Sequence, residues 1–206
     1  MSKKFPYQKL ISVTKTPYFG LYEVVFEDQL FYTDDKMRYL FSGSVIDLKT
    51  MANLTEAREK QLYPIKFDSM PLQLAIKRVI GKGTRRVAVF SDPNCGYCKK
   101  LEHEMQGLTD VTIYYFPVTL LPGSEEMAQA IWCAPSRLQA WEDHMLQGVT
   151  PAAASCNTQA LREIGALARK MNIYVTPTLV FEDGYTKAGW METEPLEQQL
   201  AESSRK

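Results

Sequence analysis

Short runs of aromatic and β-branched residues, separated by polar turns, fill the first quarter of the chain. Leu21–Phe26, Leu30–Thr33, Arg38–Phe41 and Val45–Leu48 are such runs, divided by Glu27-Asp28-Gln29, Asp34-Asp35-Lys36 and Ser42-Gly43. The pattern predicts an antiparallel meander. A segment of about 50 residues buries little surface and is marginal alone. It is therefore expected to pack on something, and a second copy of itself is the natural candidate. The aromatics Phe19, Tyr22, Phe31, Tyr32 and Phe41 are read as sheet core or interface. The period then changes. Asn53–Leu62 predicts a polar connector helix, capped by Asn53 or Thr55 and stopped by Pro64. Pro71–Ile80, with Pro at its start and Gly81 and Gly83 past its end, predicts a second helix that buries Leu72, Ile76, Val79 and Ile80.

From Thr84 onward the elements alternate. Strands are predicted at Arg86–Phe90, Val111–Phe116 and Thr178–Phe181, the last returning through an Asp183-Gly184 turn into Tyr185–Trp190. Helices are predicted at Gly96–Met105, over Ser124–Gln147 with a break near Ala134-Pro135-Ser136, at Thr158–Met171 and at Pro195–Ser203. A βαβ unit, a helical insert, a further helix, a ββ hairpin and a closing helix resemble the thioredoxin arrangement.

The candidate chemistry sits at the first strand-to-helix junction of that second half. Phe90-Ser91-Asp92-Pro93-Asn94 leads into Cys95, where the helix should begin, and Cys98 follows three residues later. A helix N-terminus has unpaired N–H groups and a dipole that favour negative charge, so it suits a thiolate, the reactive form of cysteine. A second thiol one turn along is placed to attack a mixed disulfide formed by the first. Cys95 is thus the candidate nucleophile and Cys98 the resolving thiol. Val87–Phe90 holds no carboxylate, so a buried acid beneath the dithiol is not expected there; Asp92 is expected to lie solvated in its turn. In a thioredoxin-like frame, Pro177 is the cis-proline facing the dithiol, with Thr176 placed to pair with an extended substrate. Lys99 and Lys100 read as a solvated face, and His103 and His144 as surface helix residues without a partner at metal spacing.

Composition narrows the class. The chain has 206 residues, 24 basic and 24 acidic, with no net charge and an ordinary hydrophobic fraction of 45%. Nothing in that balance points to nucleic acid or to a membrane surface, and no apolar run approaches the ~20 residues of a membrane span. Met1–Pro6 carries positive charge without an apolar run behind it and does not read as a signal peptide. Two cysteines remain, Cys133 and Cys156, with 22 residues between them. Four cysteines at these spacings do not suit zinc, which wants a second close pair, and no metal or other cofactor is expected. A Cys133–Cys156 bridge is favoured over two buried thiols. It would contribute roughly 3.5 kcal/mol by chain entropy and needs an oxidising compartment.

With these residues together, the chain resembles the bacterial periplasmic disulfide isomerases of the DsbC/DsbG family. The likeness is carried by Lys15-Thr16-Pro17, Gly20–Val24, Leu30–Asp34, Gly43–Asp47 and Asn53-Leu54-Thr55 in the first part. Leu72, Ala75-Ile76-Lys77 and Gly81–Arg85 carry it in the middle, then Phe90–Lys99, Cys133, Cys156 and Thr176-Pro177. Cys-Gly-Tyr-Cys matches the DsbC side of the family. The resemblance implies a mixed α+β and α/β chain. A cystatin-like dimerisation domain over 1–57, linker helices over 58–83 and a thioredoxin-like catalytic domain with a helical insertion over 84–206 are expected. It implies a homodimer that isomerises or reduces wrong disulfides in misfolded secreted proteins, with chaperone-like client binding. Gly96 and Tyr97 would tune the potential, and Cys133–Cys156 would be the structural disulfide. A membrane reductase of the DsbD type would keep the dithiol reduced, in the periplasm, after removal of a leader. Three other readings stand beside this one: a dithiol oxidase, a non-enzymatic holdase, and a cytosolic thioredoxin-like reductase. Reduction potential, client binding without Cys95, and the state of Cys133 and Cys156 separate them.

Overall fold

The computed structural model describes residues 8–27, 29–63 and 65–205. The expectations for Met1–Pro6, Asp28 and the Pro64 helix stop lie outside these residues. The chain divides into two compact units, 1–64 and 65–206.

In the first unit, β1 (Leu10–Lys15), β2 (Tyr22–Phe26), β3 (Leu30–Thr33) and β4 (Leu40–Phe41) form an antiparallel meander in sequence order. The first of these has no counterpart among the predicted strands; its apolar Ile11 and Val13 are exposed, and its pairing with β2 shifts register between Leu10 and Ser12. A two-stranded ribbon follows, β5 (Ile46–Asp47) with β6 (Ala52–Asn53), and then helix α1 (Leu54–Leu62). The Asn53 side chain caps α1 by accepting from the Glu56 N–H at 3.1 Å. Rather than standing free as a connector, α1 is tied to the sheet. Thr55 and Tyr32 share a buried hydroxyl–hydroxyl bond of 2.8 Å, and the Arg58 guanidinium meets the Glu23 carboxylate at 3.0 Å. Val25, Leu30 and Tyr32 form the small core, with Leu62 and Tyr63 packed against it. Of the aromatics read as core or interface, Tyr32 is buried, while Phe19 and Phe41 are exposed.

The second unit holds a five-stranded sheet in the order β11-β10-β8-β9-β7. Its strands are β7 (Ile76–Ile80), β8 (Arg85–Ser91), β9 (Val111–Pro117), β10 (Thr178–Phe181) and β11 (Thr186–Ala188). The helix expected over 71–80 is not formed. Pro71 opens a single 3₁₀ turn, Leu72–Leu74, and Ile76–Ile80 is an edge strand antiparallel to β9. The same residues satisfy both periods, and pairing with Val111–Tyr115 decides between them. Ile76 is buried while Lys77 and Val79 face outward, the alternation of a strand. Residues 58–83 are therefore not a run of linker helices: 58–62 finish α1 and 76–80 belong to the second sheet.

Helix α2 (Gly96–Glu104) makes the crossover between the parallel pair β8 and β9. Helices α3 (Ser124–Trp132) and α4 (Arg137–Gln147) are the insert, followed by α5 (Gln159–Lys170) and, after the β10–β11 hairpin, α6 (Thr193–Ser203). α4 packs on α2, α5 on β9, and α6 on β8 and β10. The apolar faces of β8 and β9, with Leu101, Met105, Ile131, Trp141, Ile164 and Leu196, make one continuous core. Cys133 and Cys156 are disulfide-bonded, joining the end of α3 to the loop before α5.

Candidate active site

The central strand β8 delivers its last residue, Ser91, into the turn Asp92-Pro93-Asn94, and Cys95 is the N-cap of α2. β10 lies antiparallel beside β8 with Thr178 opposite Phe90, which brings Val175-Thr176-Pro177 alongside that turn. The Thr176–Pro177 peptide is cis, and the Pro177 carbonyl accepts from the Gly189 N–H at 2.8 Å. The Cys95 thiol, 7% exposed, points at the Thr176 carbonyl, 3.4 Å from it. Two strands and one helix end thus hold the first thiol and Thr176 together.

Cys95 and Cys98 are unbridged, and their environments differ. Cys98 is 1% exposed, and its sulfur accepts from the Asp92 N–H at 3.4 Å. Burial pushes the Cys98 thiol up to about 12, outweighing the hydrogen bonds from Ser91 and the Asp92 backbone. Cys98 therefore keeps its proton at neutral pH. Cys95 is left as the thiol at the head of the helix, beside the free N–H groups of its first turn.

Asp92 is not solvated. Its side chain is fully buried and accepts four hydrogen bonds. Oδ1 takes the Asn94 N–H at 2.8 Å and the Ser124 hydroxyl at 2.6 Å, and Oδ2 takes the Leu120 and Leu121 N–H groups at 2.7 and 3.0 Å. A carboxylate is an acceptor only, and here every partner is a donor. Asp92 pins the loop before α3 to the dithiol turn, and its carbonyl accepts from the Cys95 N–H at 3.1 Å. The local part of this was open to sequence reasoning, since Asp two residues before a backbone donor is an Asx-turn signal. The partners 28 to 32 residues away carry no such signal.

Two further buried polar groups were missed. Glu102, one turn beyond Cys98 on α2, is 1% exposed and accepts from the Tyr115 hydroxyl at 2.7 Å, with Arg78 and the Trp141 indole N–H at 3.4 Å. Burial lifts its carboxyl to about 7. His144 is buried beneath the Pro93 carbonyl rather than lying on the surface; His103 is exposed. Lys100 is exposed as expected, but its ammonium sits over the Trp190 ring at 3.4 Å. Tyr97, Leu120, Leu121, Tyr174 and Val175 are exposed on the segments that carry the site. No group of metal ligands occurs among the described residues, and none of their helices is long and apolar enough to cross a membrane.

Residues 72–203 match the family of thioredoxin-like domains, and residues 1–56 match the N-terminal domain of disulfide bond isomerase proteins. A probable thiol:disulfide interchange protein DsbC from Bordetella avium is 39% identical over 96% of this chain and 71% of its own. One from Bordetella parapertussis is 36% identical over 97% and 71%. Among solved structures, a disulfide interchange protein from Neisseria gonorrhoeae superposes with a TM-score of 0.63 at 40% identity, covering 66% of this chain and all of that one.

Proposed function

The chain belongs to the DsbC family of thiol:disulfide interchange proteins and is a thiol–disulfide oxidoreductase, and from that premise we propose that it isomerises or reduces wrong disulfides in secreted proteins. The observation that carries the reading is the contrast within one dithiol: Cys95 at the head of α2, and Cys98 buried with its proton held. Cys95 acts as thiolate on a client disulfide. A Cys95–client mixed disulfide forms and a client thiolate leaves. A second client thiolate then displaces Cys95, which rearranges the client's bonds without net electron transfer. Alternatively Cys98 displaces the client, which gains two electrons while Cys95–Cys98 becomes the disulfide. A reductase must then return those electrons, the role we assign to a membrane partner of the DsbD type.

Thr176 and Pro177 position the client strand against Cys95. Gly96 and Tyr97 set the geometry around the sulfurs. The exposed apolar side chains of Tyr97, Leu120, Leu121, Tyr174 and Val175 give unfolded clients a surface to hold, in keeping with chaperone-like binding. Isomerisation rather than oxidation is favoured by the N-terminal match to disulfide bond isomerase proteins, which also supports a homodimer. A periplasmic location agrees with the Cys133–Cys156 bond, which an oxidising compartment preserves. Refolding of a scrambled multi-disulfide protein tests the mechanism. Cys95→Ala is expected to abolish recovery of native activity, and a variant that kept full activity would sink it.

A further inference from the structure

The His144 imidazole lies between two backbone carbonyls. Nε2 is 2.9 Å from the Pro93 oxygen, in a buried contact, and Nδ1 is 3.2 Å from the Val149 oxygen. His144 belongs to α4, the second helix of the insert; Pro93 belongs to the turn that presents Cys95. The ring therefore joins elements 51 residues apart. Neither carbonyl can donate, and a neutral imidazole has one N–H, so the ring bonds one of the two. The shorter, buried contact assigns a proton to Nε2. Pro93 itself is buried, and having no N–H it holds its place through its carbonyl and its ring packing alone.

We propose that His144 is a positioning residue for the dithiol: through Nε2–H it holds the Pro93 carbonyl, and so fixes the turn that sets Cys95 over the N-terminus of α2. The turn is also held by the Asp92 carboxylate on Asn94, Leu120, Leu121 and Ser124, and by the Asn94 amide donating to the Pro122 carbonyl at 3.1 Å. Asp92 thus anchors the segment before Pro93 to the loop leading into α3, while His144 anchors Pro93 to α4. Both helices of the insert bear on the two residues preceding Asn94-Cys95. The Val149 end of the imidazole reaches the start of the segment 148–156, whose far end is fastened by Cys156 to Cys133 and by the Gln129 amide donating to the Ala154 carbonyl at 3.1 Å. The insert is thereby joined to the turn that carries the reactive thiol through the Asp92 carboxylate and the His144 ring. The assignment concerns interchange chemistry as such and stands whether the protein runs as isomerase, reductase or oxidase.

Amide side chains separate the two contacts. A Gln amide nitrogen reaches the place of Nε2, and an Asn amide nitrogen that of Nδ1. The test uses the full chain with H144Q, H144N and H144F. Its readouts are the pH profile of Cys95 alkylation by iodoacetamide, followed by mass spectrometry, the equilibrium constant with glutathione, and the melting temperature. Without the Nε2 donor the turn is released, and the thiolate loses its fixed place at the helix end. H144N and H144F are expected to move the alkylation profile to higher pH. They are also expected to shift the glutathione equilibrium about tenfold toward the Cys95–Cys98 disulfide, about 30 mV for a two-electron couple. H144Q is expected to stay within about twofold of the parent. A common fall in melting temperature with unmoved profile and equilibrium would reduce His144 to a packing residue and overturn the proposal. H144Q behaving like H144N overturns it as well, and this pair decides the matter even where H144F does not fold.

Discussion

Glu102 holds a carboxyl group in a place that water does not reach, and that has a direct consequence for stability. Its hydrogen bonds to Tyr115 and Trp141 and the Arg78 charge all favour the carboxylate, yet burial outweighs them and lifts the group to about 7. The ordinary glutamate value in an unfolded chain is about 4.3. The native state therefore binds a proton that the unfolded state has released across that interval. Stability from this group is complete below the unfolded value and is lost as pH rises through about 7. The loss is on the order of 3 kcal/mol, at about 1.4 kcal/mol per unit. Urea midpoints measured from pH 5 to pH 8 are expected to fall, and Glu102→Gln is expected to flatten that slope. An unchanged slope in the variant would mean that Arg78 neutralises the carboxylate after all. None of this was legible in the sequence. Glu102 reads there as one of several charged residues on a helix, and its burial follows from α4 and β7 closing over α2 at Trp141 and Arg78. Asp92 and His144 escaped for the same reason. The partners of Asp92 come from the insert and that of His144 from the dithiol turn, and no periodicity records which segment will cover a polar side chain.

Elements were more legible than single residues where one period was available and less so where two were. β8, α2 and β9 could be read because an apolar β-branched run, a capped helix and a second run admit one assignment each. Ile76–Ile80 admits two. Its apolar residues suit a helical face, its β-branching suits a strand, and the flanking Pro71 and Gly81 suit a helix start and stop or a strand between turns. Only a partner at Val111–Tyr115 settles it, and that partner is distant in sequence. The β10–β11 hairpin was legible because Asp183-Gly184 is a strong turn signal. Its packing supplies a test. Gly184 has φ +84°, and a Cβ there would overlap the Ile65 carbonyl, whereas Gly189 has φ +88° with open space around it. Gly189→Ala is expected to cost about 1 kcal/mol from its backbone conformation alone. Gly184→Ala adds a backbone collision and is expected to cost about 2–4 kcal/mol. Thermal unfolding of the two variants side by side measures the difference. Equal losses would show that the segment at Ile65 yields freely to the hairpin.

At the scale of the whole molecule, one free dithiol per chain is known among the described residues, and the N-terminal unit must account for how many such sites one particle carries. That unit buries a core of only a few side chains, while its edge strand β4 exposes both Leu40 and Phe41, and Leu48 nearby is exposed too. Unpaired edges with apolar side chains invite a second chain, and small domains gain stability by accepting one. The homodimer proposed from the family is thus what the described residues of the first unit also favour. Sedimentation of the full chain is expected to give twice the chain mass of 23.5 kDa. Phe41→Asp with Leu48→Asp places charge where the partner would pack, and is expected to give a monomer. The two activities should then separate. Equilibration of Cys95–Cys98 with glutathione should be unchanged, because the groups that hydrogen-bond the two thiols among the described residues, Ser91, Asp92 and Thr176, belong to the second unit. Recovery of a scrambled protein requires the client to stay bound through successive exchanges, and it should fall several-fold when the second copy is lost. A monomer that rescued scrambled clients as well as the parent would leave the dithiol chemistry intact but remove the reason for assigning isomerisation to a paired particle.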